Sequence, residues 1–181
     1  TVPATIRIDV DTPAECGRVL ADATQIHQVL LNLGSNAAHA MRTTGGTMRI
    51  ALTPVTLDEE QASALSHVTP GSYVCLEFSD TGHGMDPETQ KRIFDPFFTT
   101  KEVGQGTGLG LSVVHGILQA HRGAITVQSA PGRGSTFTLY LPVAGAAASE
   151  IETPTDAVPR GRGELIAVVD DADIVRSFAQ M

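Results

Sequence analysis

The chain has no tryptophan, and only 4% of its 181 residues are aromatic, so aliphatic side chains must fill its core. Cysteine is almost as scarce. Cys16 and Cys75 lie far apart and match no metal-ligand spacing, which argues for two buried reduced thiols and against a disulfide scaffold or zinc site. Positive charge is short as well: 12 Lys and Arg against 20 Asp and Glu leave a net charge of −8. That balance argues against nonspecific binding to nucleic acid or to an anionic membrane, both of which need basic patches. It leaves an anionic small ligand open, because a metal ion, backbone N–H groups and a few local cations can hold a phosphate. No apolar run approaches the ~20 residues that cross a bilayer, and no signal peptide opens the chain at Thr1. The expected location is cytoplasmic, and a start at Thr rather than Met suggests a piece of a longer protein.

Hydrophobic residues make up 41% of the chain, enough for one domain plus a tail, and 18 glycines point to tight loops. Thr5–Val10 alternates apolar and polar and predicts a strand. Asp22 is a candidate cap for a helix over Gln25–Met41, where Ile26, Val29, Leu30, Leu33, Ala37, Ala40 and Met41 recur at helical spacing. Gly45-Gly46 ends that segment. Thr47–Thr53 and Tyr73–Ser79 read as strands, with a short helix or loop over Asp58–Ser63 between them. Phe94–Gly110 is rich in Gly and Thr and reads as a long mobile loop. Leu111–His121 is helical up to Gly123. Ala124–Ser129 and Ser135–Leu141 form a hairpin about Pro131-Gly132-Arg133-Gly134. The first 143 residues therefore form one domain. Residues 144–163 read as a linker rich in Ala, Pro, Thr and Glu. Residues 164–181 open a second apolar strand that runs into Asp170-Asp171.

Three segments carry chemistry. Gln28, Asn32 and Asn36 fall at i, i+4 and i+8, a polar stripe beside the apolar one. An amide oxygen is a hard, neutral ligand suited to Mg²⁺, though an isolated pair of this kind also fits a solvated helix face. Asp80-Thr81-Gly82-His83-Gly84-Met85 follows a strand. A carboxylate there can accept from the exocyclic amine of adenine, which guanine does not offer at that place. The glycines let backbone turn against a flat ring. The same residues also fit a simple Asx-turn. Gly104-Gln105-Gly106-Thr107-Gly108-Leu109-Gly110 runs into a helix, where free N–H groups and the helix dipole favour an anion. It is neither a Rossmann nor a Walker loop, since no strand closely precedes it and no Gly-Lys-Ser/Thr follows.

In this order the segments, with Phe94-Asp95-Pro96-Phe97-Phe98-Thr99-Thr100-Lys101 and Gly134-Ser135-Thr136-Phe137, resemble the catalytic ATP-binding domain of bacterial sensor histidine kinases. These are that family's N box, glycine boxes, F box and final Gly/Thr strand, and the resemblance covers about residues 1–143. The wider superfamily includes DNA gyrase and Hsp90. The resemblance implies an α+β fold, a two-layer sandwich of the Bergerat type with a mixed sheet, helices on one face and a mobile ATP lid. It implies ATP and Mg²⁺ as ligands. It makes Asn36 the metal ligand, Asp80 the adenine acceptor, and Asn32 a neighbour of the phosphates. His39, if protonated, and Lys101 would contact phosphate. Gly82, Gly84 and Met85 would border the base, Gly106, Thr107, Gly108, Leu109 and Gly110 would wrap the triphosphate, and Thr136 would touch the adenine pocket. Phe94, Phe97 and Phe98 would anchor the lid.

Where gyrase-type relatives carry a Glu that activates water, this chain has Asn32, which cannot accept a proton. The expectation is a kinase that keeps the γ-phosphoryl group for a histidine, with weak hydrolysis; the alternatives are a water-activating ATPase and an adaptor that has lost nucleotide. None of His27, His39, His67, His83, His115 and His121 sits in the family's acceptor setting. The implied partner is a dimerisation domain that bears the acceptor. Leu165–Asp171 resembles the opening of a receiver domain, the second implied partner, which would make the parent a hybrid kinase. Neither nucleic acid nor membrane contact is expected of this segment.

Overall fold

The computed structural model describes residues 3–13, 15–65, 68–101 and 106–144. These belong to a unit spanning Thr1–Ser149. The linker beyond Ala144, the receiver-like stretch and His67 lie outside the described residues.

Five strands form one sheet in the order β1-β2-β3-β5-β4. The strands are β1 (Ile6–Asp11), β2 (Gly46–Leu57), β3 (Gly71–Asp80), β4 (Ala124–Ser129) and β5 (Ser135–Pro142). β1 runs parallel to β2 and the other pairings are antiparallel, giving the mixed sheet expected. α1 (Ala23–Ala40) starts where Asp22 accepts from the backbone N–H groups of Thr24 and Gln25 at 2.7 and 3.3 Å. α2 (Glu59–Ala64) is closed by a capping box of Asp58 and Gln61. Sequence reading missed α3 (Pro87–Arg92), although Asp86 as cap and Pro at the first turn announce it. α4 (Gly110–Ala120) follows the glycine-rich stretch.

The core lies between α1, α4 and one face of the sheet. Val29, Leu33, Ala37 and Met41 from the first helix segment and Val114 and Leu118 from α4 meet Leu76, Phe78, Phe137, Leu139 and Leu141. Period-two alternation dictates which strand residues face it: in register, Leu76 opposes Leu139, Phe78 opposes Phe137, and Asp80 opposes Ser135. The short α2 packs on the opposite face, where Ala62 meets Leu57 and Tyr73. The helices on one face are thus the two long ones. Both cysteines are free thiols but half-buried rather than buried, and burial pushes the Cys75 thiol up.

The two helices are also tied at their ends. His121, just past α4, presents Nδ1 to the Ile117 carbonyl at 2.8 Å, so that nitrogen must carry the proton. Its Nε2 then accepts from the Asp22 backbone N–H at 3.1 Å, at the start of α1.

Candidate functional site

A cavity of about 630 Å³ opens between α1, the end of β3, α4 and the start of β5. That volume is in the range of small-molecule sites. α1 turns Val29, Leu33 and Ala37 into the core, so its amides fall on the adjoining stripe. Asn32, Asn36 and His39 line the cavity, whereas Gln28 is exposed. Gln28 Nε2 reaches Asn32 Oδ1 at 3.4 Å, while the buried Asn32 Nδ2 has no hydrogen-bond partner. An unpaired buried donor costs stability unless a ligand supplies the acceptor.

Asp80 ends β3 on the same face as Leu76 and Phe78, which aims its carboxylate into the cavity at only 8% exposure. Its Oδ1 accepts from the Gly82 N–H at 2.8 Å. Burial raises its pKa above the ordinary carboxylate value, and the N–H groups of Gly82 and Ser135 and the nearby His83 pull it partly back. Gly82 itself is packed behind Asp80 against Ala40 rather than lining the cavity. Gly84 and Met85 do line it. Gly84 has φ +67°, and a Cβ there would strike the Ala130 carbonyl, so the turn needs glycine twice over. His83 Nδ1 donates to the Gly84 carbonyl at 2.7 Å, and the Met85 N–H reaches Ser129 Oγ at 2.8 Å.

Gly106, Thr107, Gly108 and Gly110 line the side of the cavity beneath α4. Residues 102–105 lie outside the described residues. Gly108 has φ +67° against the Phe97 backbone. Leu109 is half-buried and caps α4 without a side-chain hydrogen bond; among the described residues no side chain caps the helix's first N–H groups. Lys101 reaches across from the other wall, its Nζ 3.0 Å from Asn36 Oδ1, and burial lowers its pKa. His39 is also held below its ordinary value, first by burial and then by Lys101, Arg42 and His83. The lowered pKa works against the charge that a phosphate contact would need.

Two more expectations change. Thr136 faces away: the residues of β5 that line the cavity are Ser135 and Phe137, on the face shared with Asp80. Phe97 is not among the described residues packed on the core, being 75% exposed with φ +66°. Phe94 and Phe98 do pack on the core; Phe94 lies 5.4 Å from the His115 ring, and the Arg92 guanidinium covers Phe98 at 4.4 Å. Apart from Asp80, no carboxylate is among the described residues that line the cavity. Nor do the described residues contain a His, Cys, Asp or Glu cluster able to hold a metal by themselves. One neutral amide oxygen beside open space fits Mg²⁺, which keeps waters and takes phosphate oxygens from a nucleotide. No described helix is long and apolar enough to cross a membrane.

The sequence pattern of the family described as histidine kinase-, DNA gyrase B-, and HSP90-like ATPase matches residues 21–145. The chain is 37% identical to the sensor kinase CckA of Brucella abortus, over 94% of this chain and 19% of that protein. It is 42% identical to the signal transduction histidine-protein kinase AtoS of Escherichia coli, over 71% of this chain and 18% of that one. The chain thus spans about a fifth of the length of these relatives. Among solved structures, a nucleotide-free catalytic domain of histidine kinase ThkA superposes with a TM-score of 0.56 at 33% identity, covering 76% of this chain and 79% of that one. Full-length ShkA in complex with AMPPNP gives 0.58 at 30% identity, covering 78% of this chain and 26% of that one.

Proposed function

Because the chain belongs to the histidine kinase-, DNA gyrase B-, and HSP90-like ATPase family, we propose that it is the ATP-binding catalytic domain of a two-component sensor histidine kinase. It holds ATP and hands the γ-phosphoryl group to a histidine on a dimerisation domain of the parent protein. Asp80 accepts from the adenine amine. Asn36 would hold Mg²⁺, whose charge would offset that of the phosphates. The free N–H groups above Gly110, the Asn32 amide and Lys101 take the phosphates. Nothing in this site needs to form a covalent intermediate; positioning and electrostatics do the work.

One observation favours kinase over water-activating ATPase: the described lining of the cavity has no carboxylate besides Asp80, which in this reading takes the adenine amine. Asn32 cannot take a proton from water. The parent is a hybrid kinase, with residues 164–181 as the start of a receiver domain after the linker at 144–163. Support for this comes from the CckA similarity, which extends over 94% of the chain. We place this segment in the cytoplasm, with no nucleic-acid or membrane contact, in keeping with its net charge of −8.

Calorimetric titration of the chain with Mg²⁺ and a non-hydrolysable ATP analogue should give saturable one-to-one binding, lost in Asn36→Ala. Incubation with labelled ATP should release phosphate slowly and leave the chain unlabelled, while an added dimerisation domain from a related kinase becomes labelled on histidine. Rapid turnover by the chain alone, abolished in Asn36→Ala, would show a water-activating ATPase instead. Absence of any binding would show an adaptor.

A further inference from the structure

The contact between Lys101 and Asn36 has a consequence for the metal. In an amide, the oxygen is the atom that faces positive charge. Asn36 Oδ1 faces the Lys101 ammonium at 3.0 Å, across 65 residues of sequence. A magnesium ion held by Asn36 would bind that same oxygen. The ammonium and the metal would then crowd the same lone pairs, two cations within a few ångströms in a half-buried site. They exclude one another there. The described residues offer no carboxylate or histidine cluster as a second metal seat, so competition at this one oxygen governs metal entry.

We infer that Lys101 takes the metal's place at Asn36 in the metal-free protein, and that Mg²⁺ loading exchanges one cation for the other at that oxygen. The inference rests on the proposed assignment of Asn36 as metal ligand. It makes Lys101 a residue that sets the metal dependence of nucleotide binding, beyond any contact it makes with phosphate. Metal-free nucleotide keeps the Lys101–Asn36 bond. Metal-loaded nucleotide must break it, so the wild-type chain gives up part of the metal's benefit.

The readout is the ratio of the ADP dissociation constant in EDTA to that in Mg²⁺. It is measured by calorimetry on the 181-residue chain for wild type, Lys101→Met, Asn36→Ala and the double variant, with circular dichroism to check folding. Lys101→Gln serves if the Met variant does not fold. A hydrogen bond to a charged group is worth enough to change the ratio by roughly tenfold. Lys101→Met should therefore raise the ratio about tenfold with Asn36 present, and much less in the Asn36→Ala background. An equal rise in both backgrounds would mean that Lys101 acts on phosphate alone, and no rise would mean that it does not oppose the metal; either overturns the inference. A wild-type ratio in Asn36→Ala would instead overturn the metal assignment on which it rests.

Discussion

Replacing Asp80 by Asn should move stability and nucleotide binding in opposite directions. The carboxylate is buried and its pKa is raised, chiefly by desolvation. A group whose folded pKa exceeds its unfolded one costs stability when ionised. That cost is fully present above the folded pKa and vanishes below the unfolded value of 3.8. Asn removes the charge and keeps an oxygen that can accept from Gly82 at 2.8 Å. The ligand-free melting temperature at pH 7 should therefore rise, and the gain should fade as the pH is lowered through the folded pKa. Binding should suffer. A hydrogen bond from the adenine amine to a charged acceptor is worth about 1.5–3 kcal/mol, so ATP should bind roughly 10- to 150-fold more weakly. The amide can also turn its NH₂ toward a carbonyl, which guanine carries where adenine has its amine, so the preference for ATP over GTP should narrow. Calorimetry with both nucleotides, alongside melts without ligand, tests all three effects. Unchanged ATP affinity would refute the placement of the base against Asp80. A lowered melting temperature would show that the carboxylate is structural.

Other outcomes follow from the same geometry. Gly84→Ala drives a Cβ into the Ala130 carbonyl at φ +67°; it should destabilise the chain by about 1–3 kcal/mol in urea unfolding and weaken nucleotide binding as the turn shifts. His121→Ala removes the bridge from the Ile117 carbonyl to the Asp22 N–H; each hydrogen bond is worth about 1 kcal/mol, so the denaturation midpoint should fall while ADP affinity barely changes. Burial, Lys101, Arg42 and His83 lower the His39 pKa. The incoming phosphates raise that pKa, so binding takes up a proton at neutral pH, and affinity should fall as pH rises through the raised value. Calorimetric enthalpies should then vary with the ionisation enthalpy of the buffer, an effect lost in His39→Ala.

Much of the fold was legible because strong periodic patterns and explicit caps announced it. α1 shows both: an apolar stripe at helical spacing and Asp22 before its first turn. The hairpin of β4 and β5 was bounded by turn residues, and its ends fell within a residue of expectation. α3 escaped because six residues, PETQKR, bury no apolar side chain and leave no periodicity to detect. Its cap and proline were the only signals. α2 could be located as a helix or loop, but its seat on the opposite face follows from the parity of Leu57 and Tyr73 in the sheet, which requires the register to be known.

The site divides along the same line. Most residues whose place follows from local geometry line one cavity: Asn32 and Asn36 one helical turn apart, Asp80 at a strand end, and Gly106, Thr107, Gly108 and Gly110 leading into α4. Thr136 does not, and the reason is a single step of strand parity. Once Asp80 pairs with Ser135, the face that carries Asp80, Phe78 and Leu76 must carry Ser135, Phe137 and Leu139, and Thr136 must point the other way. That pairing was within reach of sequence reasoning, since both strands had been bounded and only their register was missing. The Lys101–Asn36 contact was not within reach. It joins a helix to a loop across the cavity, and no periodicity spans that gap. What sequence reading gave as two separate duties, metal on Asn36 and phosphate on Lys101, meets in the fold at one oxygen, where Lys101 Nζ lies 3.0 Å from Asn36 Oδ1. The two residues therefore have to be tested as a pair, because either substitution alone changes the charge seen by the phosphates as well as the charge seen by the amide.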